Sequence, residues 1–274
     1  MTATTAPTAP TAETLPAREA TRSWWGDAWL VMTRELLPTL RDPFSVVFGL
    51  IQPVVFLGLF GPLLAGSVGD GLPGGDVWAW FVPGILVMTT LFGTSTTGAN
   101  LLFEMQTGAH ERLLVTPLAR SAQLVGRSWK EMVPIIAQSV VVVAVMLPFG
   151  FSFSPAGALL GLVLLAVFGV GIGSLSYALA IAVRKQDWMF WVVQQTLLFP
   201  LLILSGMLLP LETGPRWMQV AADANPLRYV VDAERALFAG DLASPTVAWG
   251  AVAAVLTAAV GLLVGVRTLA RSAR

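Results

Sequence analysis

Six stretches of the chain, 44–64, 78–102, 133–151, 156–183, 188–209 and 247–266, contain no Asp, Glu, Lys, Arg or His. Each is long enough to cross the roughly 30 Å hydrocarbon core of a bilayer as a helix. Lipid offers no hydrogen bonds to a bare backbone, so a spanning segment is either a helix or part of a closed barrel, and none of these stretches alternates with the two-residue period of a barrel strand. The sequence therefore predicts an all-α membrane protein with six transmembrane helices. Composition agrees: of 274 residues, 55% are hydrophobic and only 12% charged, outside the range of soluble domains. The absence of cysteine excludes disulfides, thiol nucleophiles and cysteine metal sites. A net charge of zero gives no footprint for nucleic acid, and none is expected as a partner.

With six spans, both termini share a side with the second and fourth loops. That side carries thirteen basic residues, the other only Arg216, Arg228 and Arg235, which places both termini in the cytoplasm. Residues 1–22, rich in Thr, Ala and Pro, read as a disordered cytoplasmic tail without the apolar core of a signal peptide. Residues 23–42 read as an amphipathic helix on the membrane surface, with Trp25, Trp29, Met32 and Leu36 on one stripe, interrupted by Pro38 and Pro43 before the first span. The six-helix domain then occupies 43–266, and 267–274 form a cytoplasmic C-terminal tail. Pro53, Pro62, Pro83 and Pro200 are expected to kink or break their spans.

Two connections are longer than threading requires. The cytoplasmic one covers 103–132. The external one, about 210–240, starts at Pro210 and holds two amphipathic pieces: one with Trp217, Val220, Ala221 and Ala224 on a stripe, the other with Asn225 as N-cap, Pro226 at the first helical position and Gly240 as the stop. Arg228, Asp232 and Arg235 share a polar face. Such short half-polar helices suit a re-entrant hairpin in the outer leaflet, and equally an interfacial loop capping the bundle.

What is missing narrows the function. No GxxxxGK[ST] phosphate loop exists, so ATP is not bound by that device in this chain. Ion-driven carriers hold ionisable side chains within the membrane, and these spans have none. His110 begins a His-Glu pair, but Leu114 stands where a zinc-binding HExxH would need its second histidine. Ser174 lies among glycines without an embedded base, and Gly169, Gly173 and Ser176 read as close helix packing. No catalytic residue and no metal ligand is identified. The neutral polar residues Gln52, Asn100, Gln138, Gln194 and Gln195 are costly against lipid and should face the bundle or a cavity. Gln52, Phe56, Asn100, Gln194 and Gln195 are the candidates for a substrate path.

Residues 103–118 resemble the cytoplasmic loop of ABC-2 type permeases, closest to the daunorubicin/doxorubicin resistance branch. Glu104, Gly108, Glu111, Arg112, Leu113, Thr116 and Pro117 stand at matching positions and His110 at the variable one, whereas Met105, Gln106 and Ala109 depart from the pattern. A second stretch, from Ser205 through Pro210, Trp217, Asn225, Pro226 and Asp232 to Arg235 and Leu237, is similar to the same family's external re-entrant helices. The two motifs fall in the family's order and on opposite sides of the membrane.

The resemblance implies a type V exporter-like fold with a coupling helix at about 104–117 that docks into a groove on an ABC ATPase. It implies a complex of two such permeases, identical or homologous, with two ATPase subunits that bind ATP and Mg²⁺, in a bacterial plasma membrane. The cargo would be a hydrophobic or amphipathic compound moved outward. A permease for polysaccharide or lipid-linked glycan is the alternative transporter; a non-transporting scaffold or sensor is the alternative of another class, and an intramembrane enzyme lacks its acid and base.

Overall fold

A computed structural model describes residues 23–41, 43–67, 76–108 and 120–272, which are helical apart from short connections and contain no strand. Helix α1 (Trp24–Arg41) has Asp27 in its first turn and Arg41 in its last, matching the helix dipole at both ends. Its buried face is Ala28 and Val31. These pack on Gly126, where an added Cβ would lie 2.4 Å from the Ala28 carbonyl. The tryptophans of the apolar stripe, Trp25 and Trp29, face outward from the bundle, Trp25 stacking on Trp129 at 5.8 Å. Pro38 does not interrupt this helix, which continues to Arg41, and α2 (Pro43–Ser67) begins at Pro43, where a missing N–H is harmless.

Helix α3 (Val77–Gln106) is 30 residues long, about 45 Å at 1.5 Å per residue. Asp76 caps it by accepting from the Trp78 amide at 2.9 Å. The hydroxyls of Thr89, Thr90, Thr94 and Ser95 donate to carbonyls one turn back at 2.6–2.9 Å, so these four buried hydroxyls are satisfied within the helix. Helix α4 (Arg120–Met146) starts well before the apolar stretch predicted at 133–151 and brings Arg127, Lys130 and Glu131 into a helix that continues into the membrane. Helix α5 (Pro155–Ala182) is capped by Ser154.

The apolar stretch at 188–209 is not one helix. Helix α6 (Asp187–Ile203) stops short because Pro200 sits near its end, the Ser205 hydroxyl donates to the Leu202 carbonyl at 2.6 Å, and Gly206 takes φ +68°, a backbone turn open to glycine. Then follow α7 (Arg216–Asp223), α8 (Pro226–Phe238) and α9 (Pro245–Ser272). Helix α9 runs through most of the tail expected at 267–274. By length and composition α3, α4, α5 and α9 can each cross a bilayer, whereas the described apolar helices at Gly49–Leu64 and Asp187–Ile203 are shorter. The expected disordered tail at 1–22 lies outside the described residues.

α5 lies at the centre, packed on α3, α4, α8 and α9. One core joins Phe81, Ile85 and Leu91 of α3 to Leu165 and Phe168 of α5 and Val230 of α8. A second, towards the end where α1 lies, joins Leu101, Leu124, Tyr177, Phe190 and Leu269. In lipid the hydrophobic effect does little to bring helices together, so close backbone approach must serve. It does so at Gly98, whose amide donates to the Ser176 hydroxyl at 3.2 Å. At the α5/α9 crossing a Cβ on Gly261 would sit 2.2 Å from the Gly171 carbonyl. Gly169, Gly173 and Ser176 thus mark helix crossings.

Candidate functional site

The residues singled out by sequence divide between two ends of the bundle, and α3 connects them. At its C-terminal end, Glu104 forms an ion pair with Arg127 of α4. Arg127 also reaches Glu35 of α1 at 3.4 Å and lies over the Tyr177 ring of α5 at 5.8 Å. Arg127 is buried, 4% exposed. Such a cation is held by two carboxylates and a ring because an unpaired guanidinium out of water would be strongly destabilising. Glu104, expected to belong to the coupling segment, is thereby built into a four-helix frame. Beside it, Gln106 donates to Asp187 at the start of α6 at 2.5 Å.

Two residues beyond α3, Gly108 takes φ +70°, the sharp turn expected before the coupling segment. His110, Glu111, Arg112, Leu113, Thr116 and Pro117 lie outside the described residues.

The hairpin end is organised by Arg235. Its Nε donates to the Trp80 carbonyl at 3.0 Å, and its Nη2 donates to the carbonyls of Gly206 and Met207 at 3.0 and 3.3 Å. Its Nη1 donates to Asp232 at 3.4 Å, and its guanidinium lies 3.4 Å from the Trp80 ring centroid. One side chain of α8 therefore holds the turn after α6 against the start of α3. Burial, opposed by Asp232, lowers the Arg235 pKa to about 10, while burial raises Asp232 against the pull of Arg235 and Arg228.

Asn225 caps α8 by accepting from the Leu227 amide at 3.0 Å, and its Nδ2 donates to the Leu201 carbonyl at 2.7 Å, satisfying an otherwise open end of α6. Pro226 is the first residue of α8 and Pro210 is buried. Trp217 and Val220 are exposed, 69% and 61%, so the apolar stripe of α7 faces away from the bundle.

Of the path candidates, Gln52, Asn100 and Gln195 are exposed on the single chain, Phe56 is half-buried and stacked on Phe60 at 5.1 Å, and Gln194 is buried with its Oε1 unbonded among the described residues. Sequence reasoning missed Arg127, Trp80 and Glu35 as partners. It also missed Glu234 of α8, which is fully buried, although its spacing from Leu227, Val230, Val231 and Leu237 sets it on the buried face of the helix.

Residues 27–239 match the ABC-2 type transporter family. The daunorubicin resistance ABC transporter permease protein DrrB1 of Streptomyces coeruleorubidus is 26% identical over 211 residues, 76% of this chain and 73% of that protein. The protein ycf38 of Pyropia yezoensis is 30% identical over 213 residues, covering 76% of this chain and 72% of its own. The "Probable multidrug ABC transporter permease YbhR" of Escherichia coli (strain K12) is 25% identical over 189 residues, 67% of this chain and half of that longer protein.

Proposed function

The chain belongs to the ABC-2 type transporter family, and on that premise we propose that it is the membrane-spanning permease of an ATP-driven exporter whose ATPase is a separate chain. The observation that carries this reading is the position of α3, a single 30-residue helix clamped at one end to the hairpin through Trp80 and at the other to α1 and α4 through Glu104. It leads directly to the Gly108 turn and the coupling segment. A push delivered there by an ATPase reaches the far side of the membrane through one rigid element. A bundle with two discrete packings can convert such a push into alternating access.

The complex would pair two permeases, identical or homologous, with two ATPase subunits that hold ATP and Mg²⁺, in a bacterial plasma membrane with both termini cytoplasmic. DrrB1 is named for daunorubicin resistance and YbhR as a multidrug permease, which favours a hydrophobic or amphipathic cargo. Gln52, Asn100 and Gln195, exposed on one chain, would then face the path or the second permease, with Phe56 and Gln194 beside them.

The test is reconstitution with the cognate ATPase, reading ATP turnover and export together. Gly108→Pro forces φ to about −65° where the chain needs a positive value, and Glu111→Ala removes a charge from the coupling segment. Both should lower export per ATP hydrolysed. Unchanged coupling in both would overturn the transmission role.

A further inference from the structure

Where α5 ends and α6 begins, the chain turns through residues 183–186, and the last turns of α9 come up beside it. Between them lies a cavity of about 550 Å³, lined among others by Ile181, Arg184, Lys185, Met189, Thr268 and Arg271. Three cationic side chains from two elements distant in sequence thus border one space. None of the three forms an ion pair with any described residue. The neighbouring acid, Asp187, is engaged elsewhere, accepting from Gln106 of α3 at 2.5 Å.

The helix ends do not balance this charge. The C-termini of α5 and α9 contribute about half a negative charge each, the N-terminus of α6 about half a positive one and the Asp187 carboxylate a full negative one, which leaves roughly one and a half positive charges around the cavity. We propose that this cavity binds the phosphate headgroup of an anionic phospholipid. The shared chemistry is a phosphate ester, and free phosphate would satisfy the cations equally. The surroundings select the lipid. Ile181 and Met189 make part of the wall apolar, and the adjoining faces of α6 and α9 expose Trp188, Val192, Leu263 and Val264, a surface for acyl chains. The cavity also lies at helix ends on the side that the basic-residue bias assigns to the cytoplasm, at headgroup depth, and basic pockets between membrane helices on that side are suited to anionic headgroups. The site is separate from the hairpin, and it stands whether or not the chain proves to be an exporter.

The experiment titrates the purified full-length chain in neutral detergent with phosphatidylglycerol or phosphatidylcholine and counts bound lipid by native mass spectrometry. A parallel titration uses inorganic phosphate. The expected result is one phosphatidylglycerol held in preference to phosphatidylcholine. At about fivefold in affinity per basic residue, the triple variant Arg184→Gln, Lys185→Gln, Arg271→Gln should bind it on the order of 100-fold more weakly. Arg271→Gln alone, the least disruptive change, should weaken it about fivefold. The pair Arg34→Gln and Arg41→Gln, exposed on the same side in α1, should leave it unchanged. Retention of the lipid by the triple variant, or an equal loss in the α1 pair, would overturn the site. Displacement of the lipid by equimolar inorganic phosphate would overturn its assignment to a lipid.

Discussion

Glu234 on α8 lies so close to Gly161 on α5 that a Cβ at position 161 would come within 2.4 Å of its Oε2. The side chain is fully buried, and neither oxygen has a hydrogen-bond partner among the described residues. Gly157 and Gly161 present no charge to it, and Asp232 and Arg235 on its own helix are paired with each other. Burial alone acts, and it pushes the Glu234 carboxyl up from 4.5 to about 8.

The consequence for pH follows from that direction. A carboxyl with a raised pKa binds its proton more tightly in the folded chain, so its protonated form supports the fold fully below about 4.5, and that support is lost as pH rises through about 8. At roughly 1.4 kcal/mol for each tenfold gain in proton affinity, the effect amounts to a few kcal/mol. Thermal melts of the purified chain should fall across this window, and Glu234→Gln should flatten the profile and melt higher at its alkaline end. Superimposable profiles for the two proteins would show that the carboxyl is solvated.

Arg235 serves three carbonyls, a carboxylate and an aromatic face at once. An ammonium on a flexible stem cannot reproduce that planar fork. Arg235→Lys should therefore destabilise the chain by about 2–4 kcal/mol, through carbonyls of Trp80, Gly206 and Met207 left buried without donors. Protease sensitivity should rise first at 204–225, where the hairpin loses its tie to α3. A Lys variant as stable as the parent would deny the clamp an energetic role.

Arg127 stands between Glu35 and Glu104, and both ion pairs are shielded from water. Removing one partner of a buried pair commonly destabilises by about 3–5 kcal/mol because the remaining charge is stranded. Arg127→Met should do so, leaving two carboxylates facing each other, whereas Arg127→Met combined with Glu35→Gln and Glu104→Gln should recover much of the loss. The double-mutant cycle between positions 104 and 127 should give a coupling energy above about 1 kcal/mol. Additivity would place Glu104 outside the frame.

Much of this arrangement is readable in residue order alone. The apolar stretches locate the membrane helices, and Asn225 with Pro226 marks the start of α8 because capping is decided by neighbours in sequence. Other features depend on what is distant in the chain. That α6 ends at Ile203 depends on Ser205, Gly206 and the reach of Arg235, since an uninterrupted apolar run cannot by itself reveal a turn inside it. The burial of Arg127 depends on Glu35 and Glu104 approaching from two other helices. Likewise, Trp25 and Trp29 mark an amphipathic helix but do not say which side meets protein, and here the small side of α1, Ala28 and Val31, makes that contact.

Small residues offer a last, matched comparison, because two glycines in similar helices differ only in what lies opposite. Gly261 on α9 and Gly171 on α5 face each other across a crossing where a Cβ at 261 would stand 2.2 Å from a backbone carbonyl, which cannot rotate away as a side chain could. Gly58 on α2 has nothing within 4 Å of the same added atom. Alanine improves helix propensity at both positions by about 0.5–1 kcal/mol, so sterics alone must separate them. Gly58→Ala should be neutral or slightly stabilising, and Gly261→Ala should destabilise by about 1–3 kcal/mol through displacement of α9 from α5. Thermal and SDS unfolding of the two variants reads the difference directly. Equal behaviour would mean that the α5/α9 crossing is looser than its geometry requires, and that the bundle relies on α3 and the hairpin for its cohesion.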